Sequence, residues 1–125
     1  MKNEKKFSGV IEKGRGLGGK FVVPTINMAV DPGVEFGVYL CRVKVGKSLY
    51  FGLMSYGPRP TFNILRSNVE IFLLDFRENL YGQKVEVTVY NKLREIMKFK
   101  SAALLREQIE KDVLTARQLI KNFYD

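Results

Sequence analysis

The hydrophobic period of this chain changes once, and that change limits what it can fold into. In several stretches of the first ninety or so residues, apolar side chains recur at every second position. From Ala102 onward they recur at every third or fourth. A period of two belongs to half-buried strands and a period near 3.6 to a helix lying on a surface. Tyr39, Cys41, Val43 and Val45 share one face while Arg42 and Lys44 point away. Leu49, Phe51 and Leu53 alternate, as do Val85, Val87 and Val89 against Glu86, Thr88 and Tyr90. Strands are expected at Phe7–Glu12, Ile26–Val30, Gly37–Val45, Ser48–Met54, Asn68–Phe76 and around residues 85–89. Short turns such as Asp31-Pro32-Gly33 and Gly46-Lys47 join several of them, which argues for antiparallel pairing. Residues 56–62, with Pro58 and Pro60 around Arg59, are expected to leave the sheet as a stiff loop, and 93–98 to be irregular. Ser101 is a candidate N-cap for a helix over about 101–123, with Leu105, Ile109, Val113, Ala116, Ile120 and Phe123 as its apolar stripe. The fold class expected is mainly β: a six-stranded antiparallel barrel with a C-terminal helix on its flank.

A chain of 125 residues with 46% apolar content is expected to be a single domain with a real core, its residues 1–6 flexible. No apolar run is long enough to span a bilayer, and Met1–Lys6 lacks the apolar segment of a signal peptide, so the cytoplasm is the expected compartment. Cys41 is alone, which excludes an internal disulfide. The chain contains no histidine, and this excludes Ser-His and Cys-His triads and imidazole-ligated zinc. Any proton transfer must fall on a carboxylate, Lys, Tyr, Arg or water. A net charge of +8 attracts polyanions. With Tyr50, Tyr56 and Tyr90 as stacking candidates, it leaves a nucleic-acid-binding small barrel as one reading. Cations scattered as these are also make an ordinary solvated surface.

The stretch from Gly14 to Asn27 is the densest in chemistry. Gly14, Gly16, Gly18 and Gly19 expose backbone N–H groups, and Arg15 and Lys20 supply positive charge. Thr25 and Asn27 then present two hard oxygen donors two positions apart. Together these suggest a phosphate–magnesium site. The same glycines also fit a dinucleotide fingerprint and the body of a P-loop. Both of those need a following helix. Phe21-Val22-Val23 favours a strand, Pro24 opposes helical geometry before it, and Phe21 stands where a P-loop carries Ser or Thr.

Glu70 is the other anomaly, a carboxylate among large hydrophobes on a strand apolar on both faces: Val69, Ile71 and Leu73 against Phe72, Leu74 and Phe76. Such a residue is either a general base with an environment-tuned pKa, or a strand-end glutamate reaching solvent or an arginine. Arg59, held between prolines, is either an anion ligand or part of a structural turn.

These residues fall into an ordered set of motifs. Pro24-Thr25-Ile26-Asn27, Gly37-Val38-Tyr39, Gly57-Pro58-Arg59-Pro60-Thr61-Phe62, Val69-Glu70 through Asp75-Phe76, Leu80-Tyr81-Gly82, Arg94 ahead of Lys98-Phe99, Gln108-Ile109 with Asp112, and Ala116-Arg117 occur in sequence from about Phe7 to Phe123. The chain thereby resembles the riboflavin kinases, the flavokinase module found alone in eukaryotes and as the C-terminal half of bacterial bifunctional FAD synthetases. The resemblance implies a Greek-key barrel, and transfer of the ATP γ-phosphate to the 5′-hydroxyl of riboflavin to give FMN and ADP, with Mg2+. It implies Thr25 and Asn27 as metal ligands and Glu70 as the base facing the ribityl hydroxyl. Gly14, Gly16, Gly18, Gly19, Lys20, Pro24 and Thr25 would surround the nucleotide, and Arg94, Phe99, Leu105 and Ile109, with Glu70, the flavin. A monomer acting on small molecules, without membrane or nucleic acid, is expected. The pattern departs from the family at Phe21-Val22-Val23, at Ile26, and at Ser55-Tyr56-Gly57, which replaces the usual Asn-Ile/Val-Gly. No histidine-containing nucleotidyl-transfer motif is present, so FMN adenylylation is not expected of these residues. A flavin-binding regulatory domain without catalysis is the remaining alternative.

Overall fold

The computed structural model describes residues 4–11, 25–59, 64–75 and 82–123, with backbone alone at 58–59 and 64–68. Six strands precede one helix: β1 (Lys5–Val10), β2 (Thr25–Met28), β3 (Gly37–Val45), β4 (Ser48–Arg59), β5 (Ile64–Leu73), β6 (Lys84–Arg94) and α1 (Ala102–Phe123). They form one antiparallel sheet in the order β1-β6-β3-β4-β5-β2. The sheet curls into a half-barrel. Its two edge strands meet through side chains: a methyl group added to Gly9 on β1 would lie 3.0 Å from Val30 Cγ1 and 3.1 Å from Met28 Sδ.

Curling separates an inner from an outer face, and the period-two pattern assigns each strand residue to one of them. Ile26, Met28, Tyr39, Cys41, Val43, Met54, Val69, Ile71, Leu73, Val85, Val87 and Val89 fill the inside with Ile11. On the outside, Leu40, Leu53 and Leu74 pack with Ala116 of α1, and Phe51, Phe72, Tyr90, Leu93, Val113, Leu119 and Ile120 close around them. Both faces of β5 are therefore covered, as its sequence requires. Phe123 stacks on Phe51 with centroids 5.9 Å apart and tilts against Tyr90 at 5.1 Å, anchoring the end of the helix. The start is capped as expected, by Leu104 N donating to Ser101 Oγ at 3.2 Å.

Four local expectations are corrected. β4 does not stop at Met54 but runs to Arg59, pairing Arg59 with Ile64 after a register shift beyond Gly57. Gly57 adopts φ +135° and Pro58 falls within that irregularity, so the strand bends through the proline-bearing stretch instead of ending before it. β6 continues through residues 93–94, which were expected to be irregular; register shifts opposite Val38, Tyr39 and Cys41 break the alternation that a strand of this length would otherwise show. β5 starts earlier and stops at Leu73, ahead of Asp75 at φ 60°. Lys5 and Lys6 lie in β1, held by pairing with Val89 and Thr88, rather than in a flexible terminus.

Candidate active site

The outer face of the sheet carries a polar line that spans five strands. Successive ladder partners run Asn27 to Glu70, Glu70 to Ser55, Ser55 to Val38 and Val38 to Arg94, crossing β2, β5, β4, β3 and β6. Directly opposed residues in antiparallel strands point to the same side. The alternation that drives Ile26, Met28, Val69 and Ile71 inward therefore turns Thr25, Asn27 and Glu70 outward together. Thr25 stands opposite Phe72, diagonal to Glu70, and its hydroxyl donates to Glu70 Oε2 at 3.2 Å. Asn27 is 5% exposed, a buried amide directly across the ladder from the carboxylate. Three residues separated by up to 45 positions thus form one oxygen-rich cluster.

The far end of the line is a second polar knot. Arg94 Nε lies 3.0 Å from both carboxylate oxygens of Asp112, and its Nη2 lies 2.9 Å from Oδ2. Its Nη1 donates to the Glu95 carbonyl at 3.1 Å, and Gln108 Nε2 donates to Asp112 Oδ1 at 3.0 Å. The Arg94 guanidinium also lies over the Phe99 ring, 5.9 Å from its centroid. This fork-on-carboxylate geometry, with Asp112 only 5% exposed, ties α1 to the end of β6. Leu105 and Ile109, one and two turns into the same helix, are half-buried.

Two further groups frame the same end of the barrel. Lys92 Nζ bridges Glu35 and Glu95, each at 2.6 Å, and these paired carboxylates hold its pKa above the usual lysine range. Tyr39 donates to the Glu35 carbonyl at 2.8 Å, and burial pushes its phenol pKa up. The Cys41 thiol is fully buried in the apolar interior, and burial pushes its pKa well above the ordinary range, so it is no nucleophile.

The structure brings Thr25, Asn27 and Glu70 together and Arg94 and Phe99 together. Gly14, Gly16, Gly18, Gly19, Lys20 and Pro24 lie outside the described residues, as do Pro60, Thr61 and Phe62; at Arg59 only the backbone is described. The sequence motifs alone give Asp112 and Gln108 no role. Their signal was available: an acid on the stripe between Ile109 and Ala116, with a glutamine one turn before it. Ser55 stands out in the sequence only as a departure from the family pattern, and the alternation of β4 sets it on the Glu70 side.

Fold and site together define a small antiparallel half-barrel with a helix on its outer face and an oxygen-donor cluster on that same face. A family model described as Flavokinase: Riboflavin kinase matches residues 1–120. A Haemophilus influenzae bifunctional riboflavin kinase/FMN adenylyltransferase is 40% identical over 115 residues, covering 90% of this chain and 37% of the relative. The Bacillus subtilis RNA-binding riboflavin kinase RibR is 38% identical over 109 residues, covering 86% and 47%. Among solved structures, a Streptococcus pneumoniae chain titled macrolide-efflux protein superposes with TM-score 0.79 at 27% identity, covering 90% of this chain and 38% of that one. Trypanosoma brucei riboflavin kinase superposes at 0.64 with 21% identity, covering 94% and 80%, and so shares the fold. The chain belongs to the riboflavin kinase family. It spans between a third and a half of the length of the curated relatives described here. No helix among the described residues is long and apolar enough to cross a membrane.

Proposed function

We propose that this domain is a riboflavin kinase, transferring the γ-phosphate of ATP to the 5′-hydroxyl of riboflavin. The observation that carries the proposal is the convergence of Thr25, Asn27 and Glu70 on one outward-facing patch of β2 and β5. Phosphoryl transfer asks for positioning and charge neutralisation more than for covalent chemistry, and a chain without histidine can provide both.

The donor set suits Mg2+. Thr25 offers a neutral hydroxyl and Asn27 an amide carbonyl, hard oxygens on one face. No cluster of three or more His, Cys, Asp or Glu side chains exists among the described residues. A magnesium ion held by one or two protein oxygens plus substrate phosphates needs none. When bound, Mg2+ would neutralise the triphosphate and orient its γ-phosphate. A hydroxyl can offer its oxygen lone pair to a cation and still donate its proton, so Thr25 can serve the metal and hold Glu70 Oε2 at once. Glu70 is half-buried beside these groups and takes the proton of the acceptor hydroxyl as that oxygen attacks phosphorus. The glycines at 14, 16, 18 and 19, with Lys20 and Pro24, surround the phosphates in this reading. Leu105, Ile109 and Phe99 provide apolar surface for the flavin ring beside the Arg94 knot.

Incubation of the chain with riboflavin, ATP and Mg2+, followed by chromatography for FMN, tests the proposal. FMN and ADP in equal amounts are the expected products. No FMN with any divalent metal or nucleotide donor would overturn it.

A further inference from the structure

We infer that Ser55 binds the polyol chain of the flavin acceptor, next to the hydroxyl that Glu70 activates. This rests on the proposed kinase reading and deepens it. In-line transfer puts the donor phosphate on one side of the acceptor oxygen and the rest of the acceptor on the other. The oxygen donors that suit the metal, Thr25 and Asn27, sit on β2, on one flank of Glu70. The acceptor's remaining carbons must then extend over the opposite flank, which is β4. The residue that β4 sets there is Ser55, directly across the ladder from Glu70.

The neighbours of Ser55 sharpen the assignment. Two residues earlier on the same face, Leu53 lies under the helix-side apolar cluster. At Ser55 the apolar line stops, although the site is still half-buried. On the other side of Ser55 the ladder partner is Val38, a buried hydrophobe that offers a hydroxyl no polar side chain. Cβ atoms of opposed residues stand about 4.5–5.5 Å apart, so Ser55 and Glu70 are direct side-chain neighbours on the outer face and can serve adjacent hydroxyls of one polyol. A small side chain leaves room for the polyol, and its oxygen can both donate to and accept from a sugar hydroxyl. Beyond Val38 the line ends at Arg94 and Phe99, where a planar ring can be received. Metal donors, base, hydroxyl, apolar spacer and aromatic end thus follow the order of phosphate, 5′-oxygen, polyol and ring in the acceptor complex.

The test compares riboflavin with lumiflavin, which has the same ring but a methyl group for the polyol. Binding is read by quenching of flavin fluorescence and turnover by FMN formation. Ser55→Ala is expected to weaken riboflavin binding by about 3- to 10-fold, the worth of one neutral hydrogen bond, and to leave lumiflavin binding unchanged. The isosteric pair Ser55→Thr and Ser55→Val keeps the test decisive if Ser55→Ala fails to fold: both add the same bulk, so Thr should bind riboflavin more tightly than Val, and equal affinities would overturn the inference. Equal weakening of both flavins would mark Ser55 as structural and overturn the inference. Unchanged riboflavin affinity in a protein whose wild type makes FMN would overturn it while sparing the kinase reading. A wild type that makes no FMN would overturn both.

Discussion

Two rows of the same outer face, two residues apart on the same strands, have opposite fates. The row Phe72, Leu53, Leu40 is sealed by Val113, Ala116 and Ile120 of the helix. The neighbouring row Asn27, Glu70, Ser55, Val38, Arg94 is polar at every position but Val38 and is tied to the helix through the Arg94–Asp112 pair. Strand geometry does not distinguish them, since both point outward. The helix does. Its small Ala116, fully buried, lets it lie close over the first row. In the proposed reading stability and chemistry are carried by adjacent lines of one sheet, and the comparison can be broken at either line.

The largest stability effect should come from the sealed row. Leu40→Ala, at a fully buried position, is expected to cost about 2–5 kcal/mol. Denaturant unfolding measures it, and the folded fraction should keep its turnover. Asp112→Ala, where helix and polar row meet, should cost about 2–4 kcal/mol, because it strands the Arg94 guanidinium, only 16% exposed, without its carboxylate. Flavin affinity should fall with it, and a mutant that keeps both stability and affinity would separate the knot from the flavin end. In the polar row itself, Thr25→Ala should leave stability nearly intact and raise the Mg2+ concentration for half-maximal turnover by about 10-fold. Unchanged metal dependence would remove Thr25 from the metal site.

The smallest effect belongs to the Asp75–Arg117 pair, bidentate at 3.1 and 3.2 Å but largely solvated. Hydrogen bonding from Arg117 holds the Asp75 carboxyl below its usual pKa. A depressed folded-state pKa adds stability above the unfolded pKa, near 3.8, that is lost as pH falls through the folded value. Arg117→Ala should therefore cost at most about 1 kcal/mol at neutral pH, less at high salt, and nothing in strong acid, as urea titrations at several pH values would show.

Much of this division is visible in the residues themselves. The alternation of 69–74 predicts a strand covered on both faces, and the stripe from Leu105 to Ile120 predicts the covering helix. What alternation cannot supply is register. Nothing local says that Asn27 lies opposite Glu70, because that pairing joins segments over forty residues apart. Only the family motifs linked them before the fold did. The continuation of β4 through Pro58 and of β6 to Arg94 was hidden for a different reason: both lie at register shifts, where the pairing departs from the simple alternation that marks a strand. The Arg94–Asp112 pair was legible only as an acid out of place on an apolar stripe.

The central claim is that the carboxylate brought beside Thr25 and Asn27 is the catalytic base of a phosphoryl transfer. Glu70→Gln tests it most directly, with FMN formation and Mg-ATP binding measured on the same preparation. The account predicts turnover lowered by about 10²- to 10⁴-fold with nucleotide binding within a few-fold of wild type. A Glu70→Gln protein that makes FMN at the wild-type rate would contradict it.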